Sequence, residues 1–276
     1  MWWRRAARQH VMPTFDGAAG SIHYERWAGD SPPDCIVVIV HGYAEYAARY
    51  AHLAERLVAD GAVVYGQDHM GHGHSDGERA LITDFGHVVA DLRTLVDRAN
   101  ADHPGLPLIM IGHSMGGLLT SRFAQGQPAD VAAIGLLGAV IGDWTWAREA
   151  LAAPDLPPAT TDFSGMSRDV AAVEGYATDP LVYRGKYKRP LLEAEMVALD
   201  QFQEDIGQLT MPVLFCHGDD DPFVDYRTSL AAVEAMPSTD KVIRVYEGAR
   251  HELVNETNRD EVIEEIATFV RRIAGG

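Results

Sequence analysis

The stretch Leu108-Ile109-Met110-Ile111-Gly112-His113-Ser114-Met115-Gly116-Gly117 decides how this chain is to be read. Four apolar residues run directly into Gly-x-Ser-x-Gly, and small and apolar residues continue from Gly117 to Ala124. That pattern predicts a strand, a sharp turn and a helix. Such a turn forces its central residue into a strained backbone conformation, and Gly112 and Gly116 leave room for strand and helix to approach closely. Ser114 then stands at the tip with its hydroxyl exposed. The helix N-terminus, including the free N–H of Met115, points at any negative charge forming beside that hydroxyl. The pentapeptide alone also occurs in ordinary Gly-flanked turns, so its context decides.

Upstream, Cys35-Ile36-Val37-Val38-Ile39-Val40 is an unbroken apolar run, as expected of a strand covered on both faces. It ends in His41-Gly42-Tyr43-Ala44-Glu45-Tyr46, and a helix is predicted over 47–60, stopped by Gly61. A strand at 62–66, a Gly/His-rich loop from Asp68 to Gly77 and a helix over 84–101 lead to the Ser114 strand. Before all of these, Val11 to Phe15 and Ile22 to Trp27 flank the turn-rich 16–20, which reads as an edge hairpin with a loose loop. This alternation of strand and helix implies an α/β fold with a mainly parallel central sheet and helices on both faces.

After a further strand at 131–138 the chain changes character. Residues 142–207 contain Pro154, Pro157, Pro158, Pro180 and Pro190, many aromatic residues and no strand-like apolar run, which fits an insertion over the sheet edge. The alternation resumes with a strand at 212–218, a helix near 226–236, a strand at 241–246 and a helix near 258–273. The expected organisation is a core of 1–141 and 208–276 interrupted by a cap, 142–207.

A serine hydroxyl is too weakly acidic to attack an ester at neutral pH without a base, and the base needs a carboxylate to orient it. The turn after the 212–218 strand carries Asp219-Asp220-Asp221-Pro222, and the segment after the last strand carries His251-Glu252. The order Ser114, Asp221, His251 is that of an α/β-hydrolase. Asp221 is preferred because it lies deepest in its turn, immediately before Pro222; Asp219 and Asp220 read as solvated turn residues. For the oxyanion, the expected donors are the main-chain N–H groups of Met115 and of Tyr43, on the loop after the 35–40 strand.

The formal charge of -17 argues against nucleic-acid binding, which needs concentrated positive surface. Cys35 and Cys216 sit in apolar runs and read as buried thiols. His69, His72 and His74 invite a metal reading, but their spacing lacks partner ligands, so loop-positioning hydrogen bonds are expected and no metal. The N-terminal Trp2-Trp3-Arg4-Arg5 lacks the apolar stretch of a secretory signal, and no run is long enough to span a bilayer. A cytoplasmic protein is expected. That end reads as a frayed terminus or a membrane-interface contact.

Taken together, His41-Gly42-x-x-Glu45 with Arg49-Tyr50, Asp68-His69-x-Gly71-His72-Gly73-x-Ser75-x-Gly77, Gly112-His113-Ser114-Met115-Gly116-Gly117, Tyr176-x-Thr178-Asp179-Pro180-Leu181, His217-Gly218-x-x-Asp221 and Glu247-Gly248-x-x-His251-Glu252 resemble the monoacylglycerol lipases of the α/β-hydrolase fold. The resemblance covers nearly the whole chain. It implies hydrolysis of monoacylglycerol to glycerol and fatty acid by Ser114, Asp221 and His251, without a cofactor. It also implies recognition of glycerol hydroxyls at Glu45, Arg49 and His113; the alternative for the first two is an internal ion pair. The insertion resembles the family's cap, which covers an acyl tunnel and can lie on a membrane; Trp144, Trp146, Leu151, Leu156 and Phe163 are candidates for its apolar surface. Ala44, Tyr46 and Met70 depart from the family's usual glycine, histidine and arginine, and the cap is short. These departures keep open a carboxylesterase, lysophospholipase or acyltransferase using the same residues.

Overall fold

The computed structural model describes residues 13–275, so the Trp2-Trp3-Arg4-Arg5 end and the expected strand start at Val11 lie outside the described residues. Eight strands form one sheet: β1 (Thr14–Gly17), β2 (Gly20–Trp27), β3 (Cys35–Val40), β4 (Ala62–Gln67), β5 (Leu108–His113), β6 (Ala133–Leu137), β7 (Val213–Gly218) and β8 (Lys241–Tyr246). Their spatial order is β1-β2-β4-β3-β5-β6-β7-β8, with β2 antiparallel to both β1 and β4 and every other neighbouring pair parallel. Eight helices complete the fold: α1 (Ala51–Ala59), α2 (Phe85–Asp102), α3 (Met115–Gly126), α4 (Thr145–Ala152), α5 (Val170–Thr178), α6 (Arg189–Glu204), α7 (Tyr226–Ala235) and α8 (Arg259–Ala274).

Every residue of β3, β4, β5, β6 and β7 is buried, which accounts for their unbroken apolar runs. The period-2 pleat divides each strand between two cores. Ile36, Val38 and Val40 join the layer built with α2, α3 and α6, whereas Cys35, Val37 and Ile39 join the layer built with α1 and α8. The edge strand β8 is largely open and carries Lys241 and Arg244, charges that discourage edge-to-edge pairing.

Two expectations are refined. The loose loop at 16–20 is a two-residue Ala18-Ala19 turn, tied down where the Ala18 N–H donates to Asp91 Oδ1 at 2.9 Å. The helix expected over 47–60 begins as a 3₁₀ turn, Ala47–Tyr50, before α1, and Gly61 (φ +100°) ends it. Between β6 and β7, α6 turns Leu191, Leu192, Leu199 and Phe202 into the main core, where it packs on α3.

The chain leaves β3 toward β4 on one side and returns to β5 on the other. This reversal opens a crevice at the C-terminal ends of β3 and β5, where open α/β sheets place their sites. Among the described residues, no helix is long and apolar enough to cross a membrane.

Candidate active site

Ser114 follows β5 with φ +53° and ψ −123°, a left-handed conformation rare for a side chain larger than glycine. Close approach of strand, helix and neighbouring loop enforces it. A Cβ on Gly112 would lie 2.2 Å from the Gly116 carbonyl oxygen, and one on Gly116 would lie 2.1 Å from that of Val40. Only glycine fits at either position.

The three residues expected to act together converge. His251 Nε2 lies 3.0 Å from Ser114 Oγ, and His251 Nδ1 lies 2.7 Å from Asp221 Oδ2. Asp221 Oδ1 accepts the N–H groups of Phe223 (2.9 Å) and Val224 (3.1 Å), and His217 Nε2 stands 3.2 Å from Oδ2. Burial opposes ionisation of Asp221, but the His251 and His217 imidazoles outweigh it and hold the carboxyl well below the usual range. Burial likewise opposes protonation of His251; the Asp221 charge and hydrogen bond overcome it and raise the imidazole above its ordinary value. Asp219 and Asp220 stay on the exposed side of the turn, where Asp219 Oδ1 accepts the Gly248 N–H at 2.6 Å.

The loop after β3 presses against Ser114, since a Cβ on Gly42 would stand 3.1 Å from Ser114 Cβ. The N–H groups of Tyr43 and Met115 meet no hydrogen-bond acceptor among the described residues. The departure at Ala44 is accommodated with φ +69°, and its carbonyl accepts the Tyr183 N–H at 2.8 Å. Tyr43 stacks on Tyr187, ring centroids 4.4 Å apart and planes at 13°, so Tyr183 and Tyr187 grip this loop through backbone and ring alike.

Glu45 is buried at this point, and Oε1 accepts both the Gly42 N–H (2.8 Å) and the Tyr50 hydroxyl (2.7 Å). Arg49 lies 3.6 Å from Glu45 Oε2, donates to Glu252 Oε2 at 2.8 Å, and sits 4.7 Å from the centre of the Tyr176 ring. It therefore serves the ion-pair alternative and does not line the cavity, whereas Glu45 and His113 do. His113 Nδ1 donates to the Leu137 carbonyl at 3.0 Å. Burial, with His251 adjacent, drives its value down to about 3, so this imidazole is neutral.

The cavity above Ser114 measures about 320 Å³. Trp144, Trp146 and Phe163 line it as expected; Leu151 and Leu156 instead pack against the main core. Sequence reading missed Tyr183, Tyr187, Phe223 and Glu252 on the wall and His217 beneath Asp221. Position beside the matched motifs was the available signal for Glu252 and His217; nothing local distinguished the two tyrosines from packing residues.

His69 and His72 brace the loops. The His69 ring stacks on His41 at 3.8 Å, His69 N–H donates to His41 Nε2 at 2.9 Å, and His72 Nδ1 donates to the Met70 carbonyl at 2.9 Å. Burial pushes His69 to about 3 and His72 to about 4, so both are neutral. Cys35 and Cys216 are free, buried thiols.

A serine at a strained strand–helix turn, a histidine within reach of its hydroxyl and a buried carboxylate behind that histidine define a serine hydrolase of the α/β-hydrolase fold. The family model described as serine aminopeptidase, S33, matches residues 31–258. The chain is 35% identical over 267 residues to a monoacylglycerol lipase of Mycolicibacterium smegmatis (93% of this chain, 95% of that one), and 32% identical over 256 residues to human monoglyceride lipase (89% and 84%). The crystal structure of a Paleococcus ferrophilus monoacylglycerol lipase superposes with a TM-score of 0.80 at 24% identity, covering 91% of this chain and 99% of that one. The chain belongs to the monoacylglycerol lipase family and is a carboxylic-ester hydrolase.

Proposed function

We propose that this enzyme hydrolyses the ester bond of monoacylglycerols, with Ser114 as nucleophile, His251 as base and Asp221 as its orienting carboxylate. The observation that carries the reading is the hydrogen-bonded line Asp221–His251–Ser114, at 2.7 and 3.0 Å, set in a cavity that mixes aromatic walls with Glu45, His113 and Glu252. His251 takes the Ser114 proton as Oγ attacks the acyl carbon, and the tetrahedral oxyanion accepts the unengaged N–H groups of Tyr43 and Met115. Collapse expels glycerol, whose alkoxide takes the proton from His251. A water then cleaves the acyl-enzyme by the same route. The aromatic wall suits the acyl chain, and Glu45 and the lone pair of neutral His113 suit glycerol hydroxyls.

In this reading residues 142–207 are the cap. Trp146 and Phe223, 39% and 36% exposed and both on the cavity wall, support peripheral contact with a lipid surface, from which the substrate would enter.

The test is the initial rate of fatty-acid release from monoacylglycerols of several chain lengths, beside di- and triacylglycerols, a lysophospholipid and a simple aryl ester, with Ser114→Ala as blank. Preference for monoacylglycerol is expected. An enzyme active on the aryl ester and indifferent to monoacylglycerol would overturn the substrate assignment and leave the nucleophile standing.

A further inference from the structure

We propose that His23, Asp68 and His74 form a binding site for one divalent transition metal of the zinc class. Two of the three imidazoles in the His/Gly loop turn inward beneath His41, but His74 turns the other way, toward β2. There the His23 ring lies 5.2 Å from it, edge to face at 73°. One ligand-capable atom from each of His23, Asp68 and His74 lies within 4.8 Å of the other two. Around a tetrahedral zinc with bonds of about 2.0–2.1 Å, neighbouring donor atoms stand about 3.4 Å apart. His74 Nδ1 and Asp68 Oδ2, 3.5 Å apart, are already at that spacing.

The surroundings are prepared for a cation. The Glu25 carboxylate can only accept, so its 2.9 Å contact places a proton of His23 on Nε2. Burial opposes a second proton, but Glu25, Asp68 and the Pro13 carbonyl favour it and raise the imidazole above its ordinary value, so a metal would take the Nδ1 lone pair of the neutral form. His23 is 1% exposed, and Nδ1 has no hydrogen-bond partner among the described residues. An imidazole whose far nitrogen donates to a carboxylate is the usual outer arrangement of a histidine metal ligand. Asp68 is also buried, oriented by the Ala47 N–H on Oδ1 (2.9 Å) and the His74 N–H on Oδ2 (2.8 Å), with a further lone pair free on each oxygen. No arginine or lysine pairs with it among the described residues; His74 is the one group that does. The His74 side chain is 35% exposed, which gives a metal its way in. Two neutral imidazoles and a carboxylate, with water as fourth ligand, suit zinc and its transition-metal neighbours and not calcium or magnesium. The bound ion would tie β2 to the His/Gly loop and so stabilise the fold; no step of ester hydrolysis passes through it.

The test uses the tag-free full chain stripped with a chelator. ZnCl2 is titrated in competition with a chromogenic chelator, and thermal unfolding is followed with and without zinc. One saturable Zn²⁺ per chain and a raised Tm are expected, with His74→Ala and His23→Ala each weakening binding by at least about 10-fold and Glu25→Gln by about 10-fold. The His74 side chain is 35% exposed and its one polar contact is the 3.5 Å pairing with Asp68, so His74→Ala is expected to keep the fold; if His23→Ala fails to fold, His74→Ala and Glu25→Gln decide. Absence of a saturable equivalent overturns the site, as does zinc uptake that these variants leave unchanged.

Discussion

Substituting Glu45 tests whether this carboxylate combines the two duties proposed for it, holding the loop after β3 and reading glycerol. In Glu45→Ala the Gly42 N–H and the Tyr50 hydroxyl lose their acceptor at a position 3% exposed, and Arg49 keeps only Glu252. Hydrogen bonds to a charged group contribute about 1.5–3 kcal/mol each, and breaking a buried pair from one side costs about 3–5 kcal/mol, so a stability loss of that order is expected. The Gly42 bond also fixes the loop that presents the Tyr43 N–H. Misplacing one oxyanion donor costs about 10²–10³ in kcat, and that loss falls on every ester. The duty proposed for Oε2 is different: among the described residues it has only Arg49 at 3.6 Å, and the residue lines the cavity. A glycerol hydroxyl donating to it contributes a further 1.5–3 kcal/mol, about 10- to 150-fold, on monoacylglycerol alone.

The assay is kcat/KM for a monoacylglycerol and for an aryl butyrate, with Tm, in wild type, Glu45→Ala and Glu45→Gln. Both substrates should suffer in Glu45→Ala, monoacylglycerol by the larger factor. Glu45→Gln keeps an acceptor for Gly42 and so keeps aryl-ester turnover within about tenfold of wild type. Full aryl-ester activity in Glu45→Ala would refute the claim that Glu45 holds the oxyanion loop, and equal losses on both substrates would remove its glycerol duty.

Asp221→Asn should lower kcat by about 10⁴ because the His251 tautomer is lost, while Asp219→Asn, exposed and still able to accept from Gly248, should shift stability by no more than about 0.5 kcal/mol; comparable losses in kcat would place the orienting carboxylate elsewhere. Because His251 is raised and must be neutral to act as base, kcat/KM should fall as pH drops through a value above 6.5; replacing Asp221 by Asn should move that limb to lower pH, and an unmoved limb would show that another group titrates. His41, His69, His72 and His113 are buried with lowered values, so below pH 6.5 the unfolded chain binds protons that the native state refuses. Stability is therefore full above that pH and lost as pH falls, by about 1.4 kcal/mol per unit for each histidine. His23 and His251, raised instead, and Glu195, whose carboxyl burial pushes up to about 8, act in the opposite sense but are outweighed by the four lowered histidines; a urea midpoint as high at pH 5 as at pH 7.5 would contradict this. Tyr187→Ala, which removes the ring stacked on Tyr43, should lower kcat for all esters with Tyr187→Phe restoring it, and a change confined to KM would assign Tyr187 to substrate contact instead.

What could be read from the sequence follows from how far apart the cooperating residues lie. Strands buried on both faces announce themselves locally, so β3, β5 and β7 are visible as apolar runs, and the Gly112–Gly116 turn is visible because only glycine survives 2.1–2.2 Å from a carbonyl oxygen. Asp221 could be preferred over its two neighbours because a turn exposes its first residues. Long-range partners left no such trace. Glu45 and Arg49, four residues apart, read equally well as a hydroxyl-binding pair and as an ion pair, and what decides is Glu252, more than 200 positions away in the chain. The histidines of the His/Gly loop were legible as a group, but their division, two under His41 and one toward His23, depends on the antiparallel pairing of β2 with β4.

The insertion shows the same limit with a functional consequence. Its sequence has no strand-like run, and its one motif, Tyr176 to Leu181, carries no catalytic residue, so it reads as a cover laid over a finished site. In the fold it contributes to the site's construction: Tyr183 N–H fastens the Ala44 carbonyl, Tyr187 carries the Tyr43 ring, and the Tyr46 hydroxyl donates to Asp179 at 2.7 Å. Ala44 occupies a left-handed conformation that disfavours an L-residue by about 1–2 kcal/mol, so the loop needs such external contacts to remain as it is. Three successive contacts from 179–187 meet the residues that flank the Tyr43 N–H. The position of the Tyr43 N–H, the proposed oxyanion donor, therefore depends on contacts made from outside its own loop as well as on the loop itself.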